Sequence, residues 1–377
     1  MVKSGRTERG QALVIIVFAI LALLVVAGLA IDGGTVYLER RRMQNAADAA
    51  ALAGTRKLAE ATCAEPGVND AAIAAEVIHY AEANGVQYAS GNVVADYVAF
   101  NESVLGRVGS GAIPTGATGI SVTTQIGRKT YFMSLVGIDL AGASAGALAM
   151  TGRPLAGGGI RPIGVPIEVV NALGVGDLFT LNFKNCQENH LEGCIVDYTG
   201  RQAQHRGWLN LGYAWNQTEE DQGWPRALDP TGTANILKLW MENGYDDGIF
   251  YADCPWTSPT NCRTGDYIHA IPGEKEAVIG AAPVGEIIWA PVFDEFPAYE
   301  QIPGPKPEPA NQGASYYYHI VGFAAFEIVD TSQGGGTITG RFQDMITGQG
   351  QINPTDGSGF GQANACQFHL LAVTLWR

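Results

Sequence analysis

Six cysteines, six histidines and one Gly-x-Ser-x-Gly pentapeptide are the features of this 377-residue chain whose types and spacing could do chemistry. The cysteines are Cys63, Cys186, Cys194, Cys254, Cys262 and Cys366. Two pairs, Cys186/Cys194 and Cys254/Cys262, share a separation of eight residues across polar, turn-rich segments. An even count fits disulfides in an oxidising compartment. The equal spacing predicts a local bridge within each pair. Cys63 and Cys366 are then left to pair, which would tie the end of a stalk helix to the C-terminal strand. Zinc is the alternative, but no Cys-x-x-Cys occurs and the histidines are scattered.

The pentapeptide is Gly142-Ala143-Ser144-Ala145-Gly146. A nucleophile elbow of this pattern needs a strand, a sharp turn exposing the serine, and then a helix. Here small, strand-like residues continue from Ala147 to Met150, and acid and base partners such as Asp294 and His369 carry no pattern of their own. The segment reads as a small-residue strand packed against the stalk helix. No His-x-x-x-His or His-Glu pair suggests a metal. Asp246, Asp247, Asp253 and Asp266 form an acidic stretch without the spacing of a known calcium loop; it reads as a solvated acidic loop, with a structural calcium as the alternative. Trp208, Trp215, Trp224, Trp240 and Trp256 gather with Tyr213, Tyr245 and Tyr251. They read as core packing, with sugar or partner binding as the alternative. No catalytic, cofactor-binding or metal-binding residue is assigned, and no cofactor is expected.

The element that must position everything else is residues 12–31, ALVIIVFAILALLVVAGLAI, 20 residues without a charged or polar side chain. As a helix it would span about 30 Å, the thickness of a bilayer's hydrocarbon core. Lys3, Arg6 and Arg9 precede it and Asp32 ends it. A cleaved signal is the rival, with Gly28-Leu29-Ala30 as its small-x-small site. The length favours a retained anchor. Arg40, Arg41 and Arg42 follow the other end at a distance, and the nearer basic residues before the span favour a cytoplasmic N-terminus with the bulk translocated. The net charge of −14 does not suit nucleic acid.

Residues 35–61 are proline-free and alanine-rich, so one stalk helix should leave the membrane, with Gly33 and Gly34 as the place for a bend. Ala46, Ala50, Ala53 and Gly54 fall near one face at helical spacing. Either they serve helix propensity alone, or they pack closely against a neighbouring helix. A second helix is expected over 70–84 with Gly85 as its stop. Strands are expected over 92–100, 120–126 and 143–150, with a short helix over 130–136. The run 154–159, PLAGGG, reads as a linker. Beyond it, strands are expected over 163–170, 178–183, 287–293, 316–329, 337–342 and 368–376, and helices over 234–243 and 274–281. The fold class is α+β: an anchor and stalk over 1–62, a small α/β unit over 63–153, and a β-rich extracytoplasmic domain over 160–377.

The ordered run Arg9-Gly10-Gln11-Ala12, then Asp32, Tyr37 and Gln44-Asn45-Ala46-Ala47-Asp48-Ala49-Ala50-Ala51-Leu52-Ala53-Gly54, resembles the N-terminal module of TadE/TadG-like pilus-assembly proteins. Residues 130–150, TYFMSLVGIDLAGASAGALAM, resemble the continuation of that module. Arg206-Gly207-Trp208-Leu209 and residues 318–326, YHIVGFAAF, are similar to the distal region of some longer TadG-like proteins. The resemblance implies a membrane-anchored, pseudopilin-like component of a tight-adherence (Flp-type) pilus apparatus, without catalytic residues. Its implied partners are the lipid bilayer and other pilus-assembly proteins, or a second copy through the stalk helix. Two departures matter. Type IV prepilins place Glu five residues past a cleaved Gly, and after Gly10 that position is Ile15. The Asp-x-Ser-x-Ser metal site of von Willebrand type A domains is missing, because Asp330-Thr331-Ser332 and Asp356-Gly357-Ser358 lack the second serine. The rival function is a surface adhesin or carbohydrate-binding module on the same anchor; an exported hydrolase is a third.

Overall fold

The computed structural model describes residues 9–64, 67–88, 91–183, 205–215, 234–245, 249–250, 252–253, 263–264, 266–273, 275–302, 316–348, 351–352, 359–362, 366, 368 and 370–376. Helix α1, Arg9–Ala59, is 51 residues long and unbroken. It passes straight through Gly33 and Gly34, where a bend was expected. A Cβ at either position would meet no neighbour, so those glycines line open space. Their cost, about 1 kcal/mol each relative to alanine, falls on a helix with long good-forming runs on both sides. A single π-helical turn, Glu60–Ala64, ends it.

The two halves of α1 live in different environments. Residues 12–27 are exposed along their whole length. From Met43 the pattern changes: Met43, Ala46, Ala47, Ala50, Ala51, Leu58 and Ala59 are buried. Their spacing of three, four and seven is one face of a helix. That face packs on α2, Asp70–Ala83, which Asn69 caps by accepting the Ala72 N–H at 3.0 Å. Gly85 follows with φ of +88°, a left-handed conformation that stops the helix without a Cβ penalty.

Beneath the helices lies an antiparallel sheet. Its strands are β1 (Val93–Val98), β2 (Val104–Arg107), β3 (Gly119–Lys129) and β4 (Leu140–Gly152). Strands β3 and β4 form a long hairpin with eleven paired positions from Gly119↔Met150 to Lys129↔Leu140. Along β4 the side chains alternate: Ala143 and Ala149 are buried in the helix-facing core, while Gly142, Ser144 and Gly146 are exposed. Alanine on the strand faces alanine on the helix, so the two backbones approach closely.

A second, seven-stranded sheet is built around β10 (Tyr317–Ser332). With β5 (Val165–Pro166), β7 (His205–Trp215), β8 (Asp266–Pro272) and β9 (Ile287–Glu295) the order is β5-β9-β10-β8-β7. Strand β11 (Thr337–Phe342) pairs with the far end of β10, and β6 (Leu178–Asn182) pairs with β11. Helices α3 (Ile167–Ala172), α4 (Ala234–Asn243) and α5 (Glu276–Ile279) accompany it. Its core is aromatic: Phe179, Trp208, Phe293, Phe323, Phe326 and Phe342 are all buried. Mixed helix and sheet content after a long apolar helix is the expected α+β class.

Beyond the second sheet the chain makes two further sets of pairings. The chain returns to the first one with β12 (Met345–Thr347) and β13 (Leu370–Trp376), giving the order β12-β13-β4-β3-β1-β2. Strand β13 pairs with β4 from Ala372↔Gly152 to Trp376↔Leu148. The run read as a linker is also in a ladder: Pro154–Gly157 pairs with Gln351–Ile352 and with Ile249–Phe250. Glycine and proline there serve a short strand, because its partners come from far along the chain and leave no local signature.

Candidate membrane–head junction

The geometry with the most functional content lies where α1 emerges from its apolar half. Asp32 is the first residue after the 20-residue span, and it is buried. Its Oδ1 accepts the Tyr131 N–H at 2.9 Å, and Oδ2 accepts those of Phe132 and Met133 at 2.9 and 2.7 Å. These amides open the 3₁₀ turn Met133–Val136, which has no side-chain cap of its own. The first N–H groups of a helical turn have no partner within it, and a carboxylate about one hundred residues upstream supplies one. Burial opposes the charge on Asp32, while the three backbone donors favour it, and the balance lowers its pKa.

One helical turn earlier, Gly28 receives Phe132. A Cβ at Gly28 would lie 2.6 Å from the Phe132 Cβ, so only glycine admits the ring here. The β3–β4 hairpin tip is therefore held to the anchor by a polar clasp at Asp32 and an apolar seat at Gly28. Farther up, the Arg128 Nε donates to Glu39 Oε1 at 3.1 Å. Thr124 Oγ1 donates to the Met43 carbonyl at 2.9 Å, and Thr55 Oγ1 to the Ala149 carbonyl at 3.2 Å. Together they attach the whole β3–β4 hairpin to one side of the helix.

Two further ties stiffen the unit. Asp70, at the first position of α2, is buried and accepts the Tyr97 hydroxyl at 2.8 Å and the Gly109 and Gly111 N–H groups at 2.7 and 2.5 Å. Burial, with the Asp70 carboxylate beside it, pushes the Tyr97 phenol well above its ordinary value. Cys63 and Cys366 form a disulfide with Cα atoms 5.4 Å apart, across 303 residues of sequence. It joins the end of the stalk to the segment that leads into β13. Cys186, Cys194, Cys254 and Cys262 lie outside the described residues.

Of the stalk residues, Ala46, Ala50 and Gly54 are buried and Ala53 is half-buried. A Cβ on Gly54 would lie 2.5 Å from Val77 Cγ2 and 3.1 Å from Ile120 Cδ1. The small-residue face is thus filled by this chain's own α2 and β3. Ser144 sits inside β4, paired with Gln125, and its Oγ donates to the Thr124 carbonyl at 3.1 Å. That is a strand interior and lacks the strand–turn–helix geometry of a nucleophile elbow. Asp294 bonds His319 Nδ1 at 2.6 Å; the side chain of His369 is not among those described. Trp208 is buried and stacked on Phe183, and Trp240 meets Tyr245 edge to face. Trp224 and Trp256 lie outside the described residues, as do Asp246 and Asp247. Among the described residues no three His, Cys, Asp or Glu side chains gather as metal ligands.

The sequence marks Asp32 only as the end of the span. An acid at a membrane boundary, with no basic residue a turn away, is the signal that a distant set of donors awaits it. The partners themselves are backbone amides and leave no trace in residue type.

Comparison with known proteins agrees with this part of the chain. Residues 10–62 match the family model of TadE/G-like Flp pilus-assembly domains. The match begins at the anchor and ends at the stalk's last turn, one residue before Cys63, so it covers α1 and the anchor half of the Asp32 clasp. No characterised protein and no solved structure shows significant similarity to the chain.

The matched segment is similar to pilus-assembly domains. Its helix is long and apolar enough to cross a membrane, which fits membrane anchoring.

Proposed function

We propose that the chain is a membrane-anchored, pseudopilin-like structural component of a Tad/Flp-type pilus assembly apparatus. It acts by positioning and protein–protein association rather than by catalysis. The observation that carries the reading is the division of labour within the matched segment. Residues 10–62 are one continuous helix, bare where it is apolar and packed where it is alanine-rich. A helix of that kind holds a folded head at a fixed place above a membrane. The buried small-residue face moves the association surface away from Ala46, Ala50 and Gly54 and onto the exposed face of α1 and the outer surface of the head.

The N-terminus is cytoplasmic and the head extracytoplasmic. Lys3, Arg6 and Arg9 ahead of the span support this orientation, and the Cys63–Cys366 disulfide supports it independently, since such bonds persist in oxidising compartments. The test is protease protection in sealed membrane vesicles together with fractionation. The anchored chain should stay with the membrane, with its head digested only from the extracytoplasmic side. A soluble product starting near Ile31, or a head protected on the cytoplasmic side, would contradict the proposal.

A further inference from the structure

The β3–β4 hairpin extends past its clasp toward the membrane. Its tip, residues 130–138, reads TYFMSLVGI and carries no charge. Tyr131 and Ile138 are 70% and 45% exposed, and Leu140 at the base is 67% exposed. The charged residues Lys129 and Asp139 sit at the base, where the Thr130 N–H donates to the Asp139 carbonyl. Exposed apolar side chains at a tip with charges behind them are unfavourable in water. They suit an interface where tyrosine and apolar groups meet lipid and charged groups stay in the headgroups.

Depth comes from the anchor itself. Gly28 lies three residues inside the apolar span, about 5 Å below its end at Ile31. Phe132 is seated on it. A residue of the head therefore lies beside the hydrocarbon part of the helix, at the depth reached by interfacial elements, roughly 5–10 Å. From Phe132 an apolar groove of about 280 Å³ runs along the helix, lined by Leu21, Leu24, Val25, Leu29 and Met133 besides Gly28 and Phe132. It continues the lipid-facing surface of α1 without a polar break. The occupant that fits its shape, lining and depth is an acyl chain.

We infer that the tip of the β3–β4 hairpin is a second membrane-contacting element, which enters the outer interface and takes a lipid acyl chain into the groove between Phe132, Met133 and the anchor. This rests on the anchor crossing the bilayer with the head outside, and on nothing else in the functional proposal. The clasp at Asp32 then has a purpose: it fixes the angle of the head to the membrane by a second point of contact.

The experiment uses the full chain in nanodiscs of phosphatidylethanolamine and phosphatidylglycerol. Benzoylphenylalanine is introduced at Tyr131 or Ile138, at Leu21 as the reference within the anchor, and at exposed Val284 as the reference far along the head. Illumination should give lipid adducts at Leu21, Tyr131 and Ile138 and none at Val284, read by mass spectrometry. Lipid adducts at Leu21 with none at either tip position would overturn the inference while leaving the anchor standing. Adducts at Tyr131 and Ile138 mainly to a second copy of the chain would overturn it too, by naming a protein as the occupant. No lipid adduct at any of the positions would remove the anchor and the inference together. Retention of the Cys63–Cys366 disulfide in each variant certifies the fold.

Discussion

At the scale of single residues, Asp32 does most of the work of orientation. Its carboxylate collects three amides from the hairpin tip, using both oxygens. Asparagine keeps the shape but loses the charge and one acceptor. Asp32→Asn should therefore leave membrane insertion intact while the amides of residues 131–133 exchange faster with solvent at neutral pH. Hydrogen exchange on the full chain in nanodiscs checks this, and unchanged protection would refute the clasp. The pH dependence has a definite sign. The folded carboxyl titrates below its ordinary value, so its contribution is complete above about pH 4 and is lost only as pH falls through the depressed folded value. The junction should therefore be insensitive to pH from 5 to 8 and loosen in stronger acid. Ala50 offers a complementary test. It is fully buried against the chain's own core, so Ala50→Leu should destabilise the fold by about 1–3 kcal/mol through overpacking. A lower unfolding temperature with unchanged self-association is the expected outcome. Lost association at unchanged stability would restore the stalk as a lateral contact.

At the scale of elements, what was legible in the sequence follows from how local its cause is. Helix α2 was readable because its stop signal, Gly85, lies just past its last residues. The long helix was readable from an apolar run followed by alanine. The strand role of Pro154–Gly157 was not, since proline and glycine signal a turn and the partners that override them lie in Gln351–Ile352 and Ile249–Phe250. Strand β13 was readable as a strand but not as the neighbour of β4. Trp376 pairs with Leu148, and nothing in either segment's composition names the other. The disulfide is the covalent counterpart of that pairing. Cys63 and Cys366 close a loop across 303 residues, for which the chain-entropy estimate of stabilisation is about 6 kcal/mol. Cys366→Ser should lower the unfolding temperature markedly and raise exchange in β13 before it does so in β3. Calorimetry and hydrogen exchange on the full chain measure both. If β13 stays as protected as before, the disulfide does not hold the strand in place.

At the scale of the whole molecule, one helix performs two tasks that sequence composition separates cleanly. Residues 12–31 form an apolar span that fits a membrane, residues 43–59 pack against protein, and Asp32 with Gly28 stands at the change. The head is therefore held to its anchor by packing and hydrogen bonds, which distinguishes it from a domain on a flexible tether. The distal sheet is separate from the first, to which the chain returns only with β12 and β13. The functional signal that a comparison supports was legible in the family pattern of the first 60 or so residues, and the proposed role by association needs no constellation of reactive groups. The measurement that bears most directly on the central claim is piliation of cells lacking this chain, counted by electron microscopy. Complementation should restore pili with the full chain and fail with residues 32–377 exported without the anchor. Normal piliation in the deletion strain, or full rescue by the unanchored head, would contradict a membrane-anchored role in pilus assembly.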